Sequence, residues 1–449
     1  MTIKPALDER HLGRRFEPRF VLDDLLRARV FRDYFLYEGP GETRIAGDWL
    51  VKISVSADSV TVQQNGVAVH KEAADDPFEQ VRCLLASLPM SSWTAYGYLG
   101  FDLAKFYYRY SRTMGWPLMQ LIIPQFETRI PTHAAGILNA TGPEEVTEVF
   151  TRPHRARRGA AMPELTDSAD RQDFYDRVRA LTAAIRAGSL QKAILSRCAR
   201  VPGTLDLLAT YSSAARVNHA RRSYCFRLDD VGAVGFSPEM FLESNGRGLI
   251  TTNPLAGTRP RGADAHEDAR MRAELFTDAK EVKEHALSVL LARQEIASVC
   301  TRRSVRIDDF MDVKQFRCVQ HLSSRVSGRL RSGRTVWDAL KVLFPAVTVS
   351  GIAKQAALQW IGDVEAEPRG IYGGAVGWID SRGQADLALA IRSAFQYGNT
   401  VHLNAGAGIV AESLPEREYA ESVSKMNTML GYIVLTDEQQ PQRVSVGVD

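Results

Sequence analysis

Apolar positions along this chain change their spacing several times, and each change marks an element. In WLVKISVSADSVTVQQ, residues 49–64, apolar and polar positions alternate about a short polar turn, as they do in GILNATGPEEVTEVF, residues 136–150. A period of two puts one face of each segment into a core, so both predict antiparallel hairpins. Further on the spacing lengthens. Phe174, Val178, Leu181 and Ile185 fall at i, i+4, i+7 and i+11, and Gly188 follows. That is one stripe of a helix with a glycine stop. QKAILSRCARV then predicts a buried strand, with later strands in AVGFS, GIYGGAVGWID, ADLALAIRSAFQYG and TVHLNAGAGIVA. Helices are expected at 263–300, 334–343 and 414–430. Strands and helices do not alternate one for one, which predicts an α+β fold rather than a doubly wound sheet.

The periodicity lapses once. TRPHRARRGAAMPELTDSAD, Thr151–Asp170, is rich in Arg, Pro and Ala and reads as an exposed linker. It divides the chain into an N-terminal α+β segment, residues 1–165, expected to pack into the same globule, and a main unit, residues 166–438. A chain of 449 residues has room for two to four domains or one elaborated one. Its 56 basic residues nearly match 53 acidic ones, which argues against a dedicated nucleic-acid binder. The five cysteines are odd in number and form no CxxC pair, so neither a zinc site nor a disulfide framework is expected. The opening MTIKPALDERHLGRRF is too charged for a secretory signal, and no run of about 18 apolar residues exists. A reduced, cytoplasmic protein with no membrane partner is expected.

Two predicted helices carry paired carboxylates. In AKEVKEHALSVLLARQEIASV, Glu281 and Glu284 share a face, while Val282, Val289, Leu290 and Ile296 supply much of the buried side. In SLPEREYAESVSKMNTML, Ser413 with Glu416 has capping-box spacing and Pro415 sits in the first turn. Glu418, Glu421 and Lys425 follow at i, i+3 and i+7. Such pairs suit Mg²⁺, which takes one or two protein carboxylates and fills its other positions with water and substrate oxygens. A solvated helix face has the same pattern. GAGIVA, Gly406–Ala411, matches a dinucleotide-binding fingerprint, but Ile409 to Ala411 continue as extended chain and the helix signal starts only at Ser413. The glycines better suit close backbone approach, with N–H groups facing a carboxylate. TTNPLAGTRPRG, Thr251–Gly262, reads as a loop offering glycine flexibility and Arg259 to an anion, or as a basic surface turn.

Eight stretches together resemble the chorismate-utilising enzymes, the group of anthranilate synthase component I and isochorismate synthase. They are QKAILSR, GFSPEMF, PLAGTRPRG, KEVKEHALSV, VQHLSS, FPAVTVSGIAK, EPRGIYGGAVGWID and NAGAGIVAESLPEREYAESVSK, in the family's order over roughly residues 166 to 430. Within the group, QKAILSRC, DDFMDVKQFRCVQHLSSRV and FPAVTVSGIAK are most similar to the salicylate-forming members. The resemblance implies an anthranilate synthase component I-like fold: largely antiparallel sheets in a sandwich flanked by helices.

The resemblance also implies roles. Lys192 is the base that activates water, where ammonia-using members have Gln; Glu239 is the acid for the departing hydroxyl. Ala256 stands where aminodeoxychorismate-forming members carry a nucleophilic Lys. Glu284 and Glu421 are direct Mg²⁺ ligands, with Glu281 and Glu418 in the outer shell. Gly257, Thr258, His321, Thr348, Tyr372, Arg392, Gly406, Gly408 and Lys425 bind chorismate, a dianion. No glutamine amidotransferase subunit is expected, and a monomer is. Two positions depart from the pattern: Ala353 replaces a proline and Ala420 a glutamate.

Overall fold

Strands long enough to carry alternating side chains pair here into two sheets, described by a computed structural model for residue 22 and residues 31–131, 139–141, 168–218, 220–315 and 319–436. One sheet has ten strands and the other twelve. Alternation decides which side chains lie between them. Phe35, Tyr37, Tyr224 and Phe226 point inward from the ten-stranded sheet and meet Tyr96, Tyr98, Val376 and Trp378 from the twelve-stranded one. Their neighbours point outward. Leu36 and Cys225 pack under the helices Leu207–Ala215 and Pro415–Leu430. Ala95, Leu99, Ala375 and Ile379 pack under Pro77–Ala86, Ala279–Val299 and Val336–Leu343. Each large side chain buried this way contributes about 1.5–3 kcal/mol. The result is an antiparallel sandwich flanked by helices, as expected.

Both sheets join strands from either side of the Thr151–Asp170 stretch. Tyr34–Gly39 pairs with Arg222–Leu228, placing Phe35 opposite Phe226. Thr94–Leu99 pairs with Ala375–Asp380, placing Gly97 opposite Gly377. The stretch itself lies outside the described residues, apart from Ser168–Asp170, which open the helix Ser168–Arg186. Of the 136–150 segment, only the strand Asn139–Thr141 is described. The pair Val51–Val55 and Ser59–Gln64 is a hairpin, as its alternation predicts. One edge of the larger sheet is Val67–Glu72, with Val67 and Val69 exposed.

Several expectations need correction. The helix expected over 263–300 is two, Ala265–Thr277 and Ala279–Val299. Between them Asp278 leaves helical geometry and its carboxylate accepts from the N–H groups of Lys280 and Glu281, capping the second helix. Leu290 is exposed; the buried stripe of that helix runs through His285, Ser288, Val289, Ala292 and Ile296. ADLALAIRSAFQYG is two strands, Gln384–Leu389 and Ser393–Tyr397, in different sheets. GIYGGAVGWID becomes a strand only from Ala375. TTNPLAGTRPRG is no loop, since it supplies the strand Leu255–Pro260, bulged between Ala256 and Thr258. Ser413 does not cap the last helix. Leu414 is its N-cap residue, and the Ser413 hydroxyl accepts from Val410 N–H instead.

Candidate active site

The chain passes between the sheets at two neighbouring points, and a cavity of about 210 Å³ opens beside them. Pro238 and Glu239 link Val231–Ser237 to Met240–Asn245; Ala390 to Arg392 link Gln384–Leu389 to Ser393–Tyr397. The crossings are tied together. Leu389 N–H donates to Glu239 O at 3.0 Å, and Phe236 N–H donates to Arg392 O at 3.1 Å. Backbone that must leave both ladders presents side chains at a sheet end, where a ligand has access.

Glu239 is buried, and the Thr348 hydroxyl donates to its Oε1 at 2.5 Å. Burial outweighs Thr348 and the nearby Lys192 charge and raises its pKa to about 8, so the carboxyl holds a proton at neutral pH. Lys192 begins the strand Lys192–Pro202 opposite Ile352 and is 1% exposed. Its Nζ contacts Glu284 Oε1 at 2.8 Å and donates to Ser288 Oγ at 3.2 Å. A proton donor and a buried lysine thus line one cavity.

Three carboxylates face the same space: Glu281, Glu284 and Glu421. Burial, then the charges of Glu284 and Glu421, raise Glu281 to about 7. Glu421 is pushed up by burial, but Lys425, 2.6 Å away, holds it below the ordinary carboxylate range. No cluster of three or more His, Cys, Asp or Glu in ligating geometry occurs among the described residues, and Glu284 and Glu421 each pair with a lysine. The donor set nonetheless fits a hard divalent cation: oxygen donors only, mutually repelling, at one wall. Gly408 makes room for the Glu284 carboxylate, since a Cβ there would lie 2.3 Å from Glu284 Oε1. Glu418 stands apart. It is buried, pairs with Lys280 at 2.7 Å and does not line the cavity.

The opposite chemistry gathers at Arg392. Its φ of 54° is unusual for a side-chain-bearing residue, and its guanidinium makes no hydrogen bond or ion pair among the described residues. Tyr372, on the turn before Ala375–Asp380, lies against Gly406, where a Cβ would meet its hydroxyl at 3.0 Å. Gly406 and Gly408 face Ser196 and Ile194. Ile194 N–H donates to Ser350 O at 2.9 Å and Ser196 N–H to Glu365 at 2.7 Å, both away from the glycines. In an antiparallel ladder such pairs turn their own N–H and C=O outward, so the glycine amides face away from that strand. Lys425 donates to Gly406 O at 2.9 Å. His321 shares a hydrogen bond with Gly257 O at 3.0 Å; burial, then Arg392, lower its pKa to about 4, leaving a neutral ring with Nδ1–H as donor.

The structure therefore brings Lys192, Glu239, Gly257, His321, Thr348, Tyr372, Arg392, Gly406, Gly408 and Lys425 to one cavity with the three glutamates. Thr258 is opposite His321 in the ladder, and its side chain lies outside the description. Arg259 is not an unoccupied anion donor, since it contacts Asp278 at 2.8 Å. Sequence reasoning missed Asn404 and the apolar wall of Ile194, Val349 and Ile391. Ile391 is in phase with the strand pattern and gave no signal. Ala420 is exposed and outside the cavity; Ala353 precedes the helix Lys354–Val364.

Comparison with known proteins meets this geometry from outside. The family model described as chorismate binding enzyme matches residues 32–431. A salicylate synthase of Mycolicibacterium paratuberculosis is 34% identical over 91% of this chain and 92% of its own. Anthranilate synthase component 1 of Methanothermobacter marburgensis is 40% identical, over 59% of this chain and 58% of its own. The crystal structure of anthranilate synthase component I from Streptococcus pneumoniae superposes with a TM-score of 0.75 at 27% identity, covering 87% of this chain and 92% of that one. Matched along its length and folded alike around a cavity of carboxylates and cations, the chain belongs to the chorismate-binding enzymes.

Proposed function

We propose that this chain adds water to C2 of chorismate with loss of the C4 hydroxyl, giving isochorismate, and then releases pyruvate to leave salicylate. One observation carries the reading: a buried lysine and a protonated carboxyl line a single cavity in which Ala256 offers no second nucleophile. Similarity to a salicylate synthase along 91% of the chain supports it.

Lys192 takes a proton from water as the oxygen attacks C2. The ring double bonds shift, the C4–O bond breaks, and Glu239 gives its proton to the departing oxygen, which leaves as water. Glu284 and Glu421 would hold Mg²⁺ directly, with Glu281 beside them and Glu418 further out on Lys280, and the bound ion would supply positive charge to the ring carboxylate. Arg392, Tyr372 and the backbone of Gly408 hold the enolpyruvyl carboxylate, Lys425 orders that side, and Thr348, His321, Gly257 and Thr258 border the ring. Pyruvate then leaves by hydrogen transfer within the substrate, which requires no base, only a held conformation. Water replaces ammonia, so the proposed reaction requires no amidotransferase subunit.

The test is product analysis with purified protein, chorismate and Mg²⁺, with and without ammonia. Salicylate with pyruvate is the expected result. Isochorismate alone removes the second step, and anthranilate formed with ammonia overturns the role of Lys192.

A further inference from the structure

The helix Ala279–Val299 buries two polar side chains, His285 and Ser288, where its apolar stripe calls for hydrocarbon. Ser288 is 0% exposed and lies outside every assignment made above. Its hydroxyl spends its one hydrogen on Glu284 O, one turn back, at 2.9 Å. What remains on the oxygen is lone-pair density, and Lys192 Nζ donates into it at 3.2 Å. The other contact of that nitrogen is Glu284 Oε1 at 2.8 Å.

We propose that Ser288 is a positioning residue for Lys192, holding its Nζ at the wall of the cavity. The inference rests on Lys192 being the base of the proposed reaction. Because the Ser288 hydrogen is already committed to Glu284 O, the hydroxyl can only accept from the lysine. Holding Nζ against the helix through one N–H narrows the positions the end of the side chain can take. Glu284 cannot do this alone. It is also the carboxylate that would hold the cation, and Ser288 is the second contact of Nζ, independent of that carboxylate. The long, flexible lysine stem makes such a tether worth having.

The two half-reactions separate this role from a structural one, since only water addition uses the base. The experiment compares wild type, Ser288→Ala and Ser288→Thr with Mg²⁺, each given chorismate and, separately, isochorismate. With chorismate, Ser288→Ala is expected to lower kcat by about tenfold, with KM within roughly twofold, as for loss of one buried hydrogen bond. With isochorismate, its salicylate rate is expected to match wild type. Ser288→Thr keeps the hydroxyl and is expected to restore most of the lost kcat. Equal losses on both substrates, or an unchanged kcat with chorismate, would overturn the inference while the reaction stands. A wild type that forms no water-addition product overturns the reaction, and the inference with it.

Discussion

At the scale of single residues, the cavity separates a proton donor from an anion clamp. Glu239 keeps its proton because burial raises its pKa to about 8. Its acid role is present below that pH and lost above it, so kcat/KM is expected to fall as pH rises through about 8 in initial-rate assays. Glu239→Gln cannot give up a proton and is expected to slow chorismate turnover by about 10²–10⁴-fold. Arg392 offers a planar fork with no protein partner among the described residues. Arg392→Lys keeps the charge but loses bidentate geometry, and KM for chorismate is expected to rise about tenfold. Gly408→Ala drives a methyl into Glu284, 2.3 Å from its Oε1. The Mg²⁺ concentration for half-maximal activity is expected to rise, while circular dichroism remains that of wild type. Arg392 was legible as a charge set in an otherwise apolar strand, whereas Lys192, Glu239 and the glutamates were assigned through the family resemblance, since a paired-glutamate helix face looks like any solvated one. Ile391 and Val349 were not legible, since a wall residue and a core residue have the same chemistry.

At the scale of elements, the sequence resolved periods better than boundaries. The stripe through Phe174 and Ile185 made a helix because nothing interrupts it. The 263–300 region carries no proline or glycine to mark its break, only Asp278, whose cap geometry depends on contacts made in space. Asp278 also pairs with Arg259, so one carboxylate fixes both the start of the Glu281–Glu284 helix and the neighbouring strand. Asp278→Ala is expected to destabilise the protein by about 1–2 kcal/mol, visible as a lower Tm by calorimetry. The strand break at Arg392 was hidden for a similar reason, because ADLALAIRSAFQYG alternates without a turn residue and only the second sheet pulls it apart. Ala353 has a φ of −65°, the angle a proline ring fixes. Ala353→Pro is accordingly expected to raise stability by about 0.4–1 kcal/mol in the same assay.

For the whole molecule, the two sheets matter more than the division of the chain. Strands before and after Thr151–Asp170 pair directly, so residues 168–436 produced alone would leave Phe226, Val376 and Trp378 without their inner-layer partners. That fragment is expected to be insoluble or to lack a cooperative thermal transition, whereas the full chain melts in one. Long-range pairing of this kind has no local signature, although the family resemblance implied its general form.

The paired crossings have a mechanical consequence. Glu239 and Arg392 each hang from both sheets, so any force that spreads or squeezes the aromatic layer also shifts the acid against the anion clamp. Activity therefore senses the spacing of the sandwich. Under rising hydrostatic pressure, turnover is expected to fall before circular dichroism shows any loss of strand.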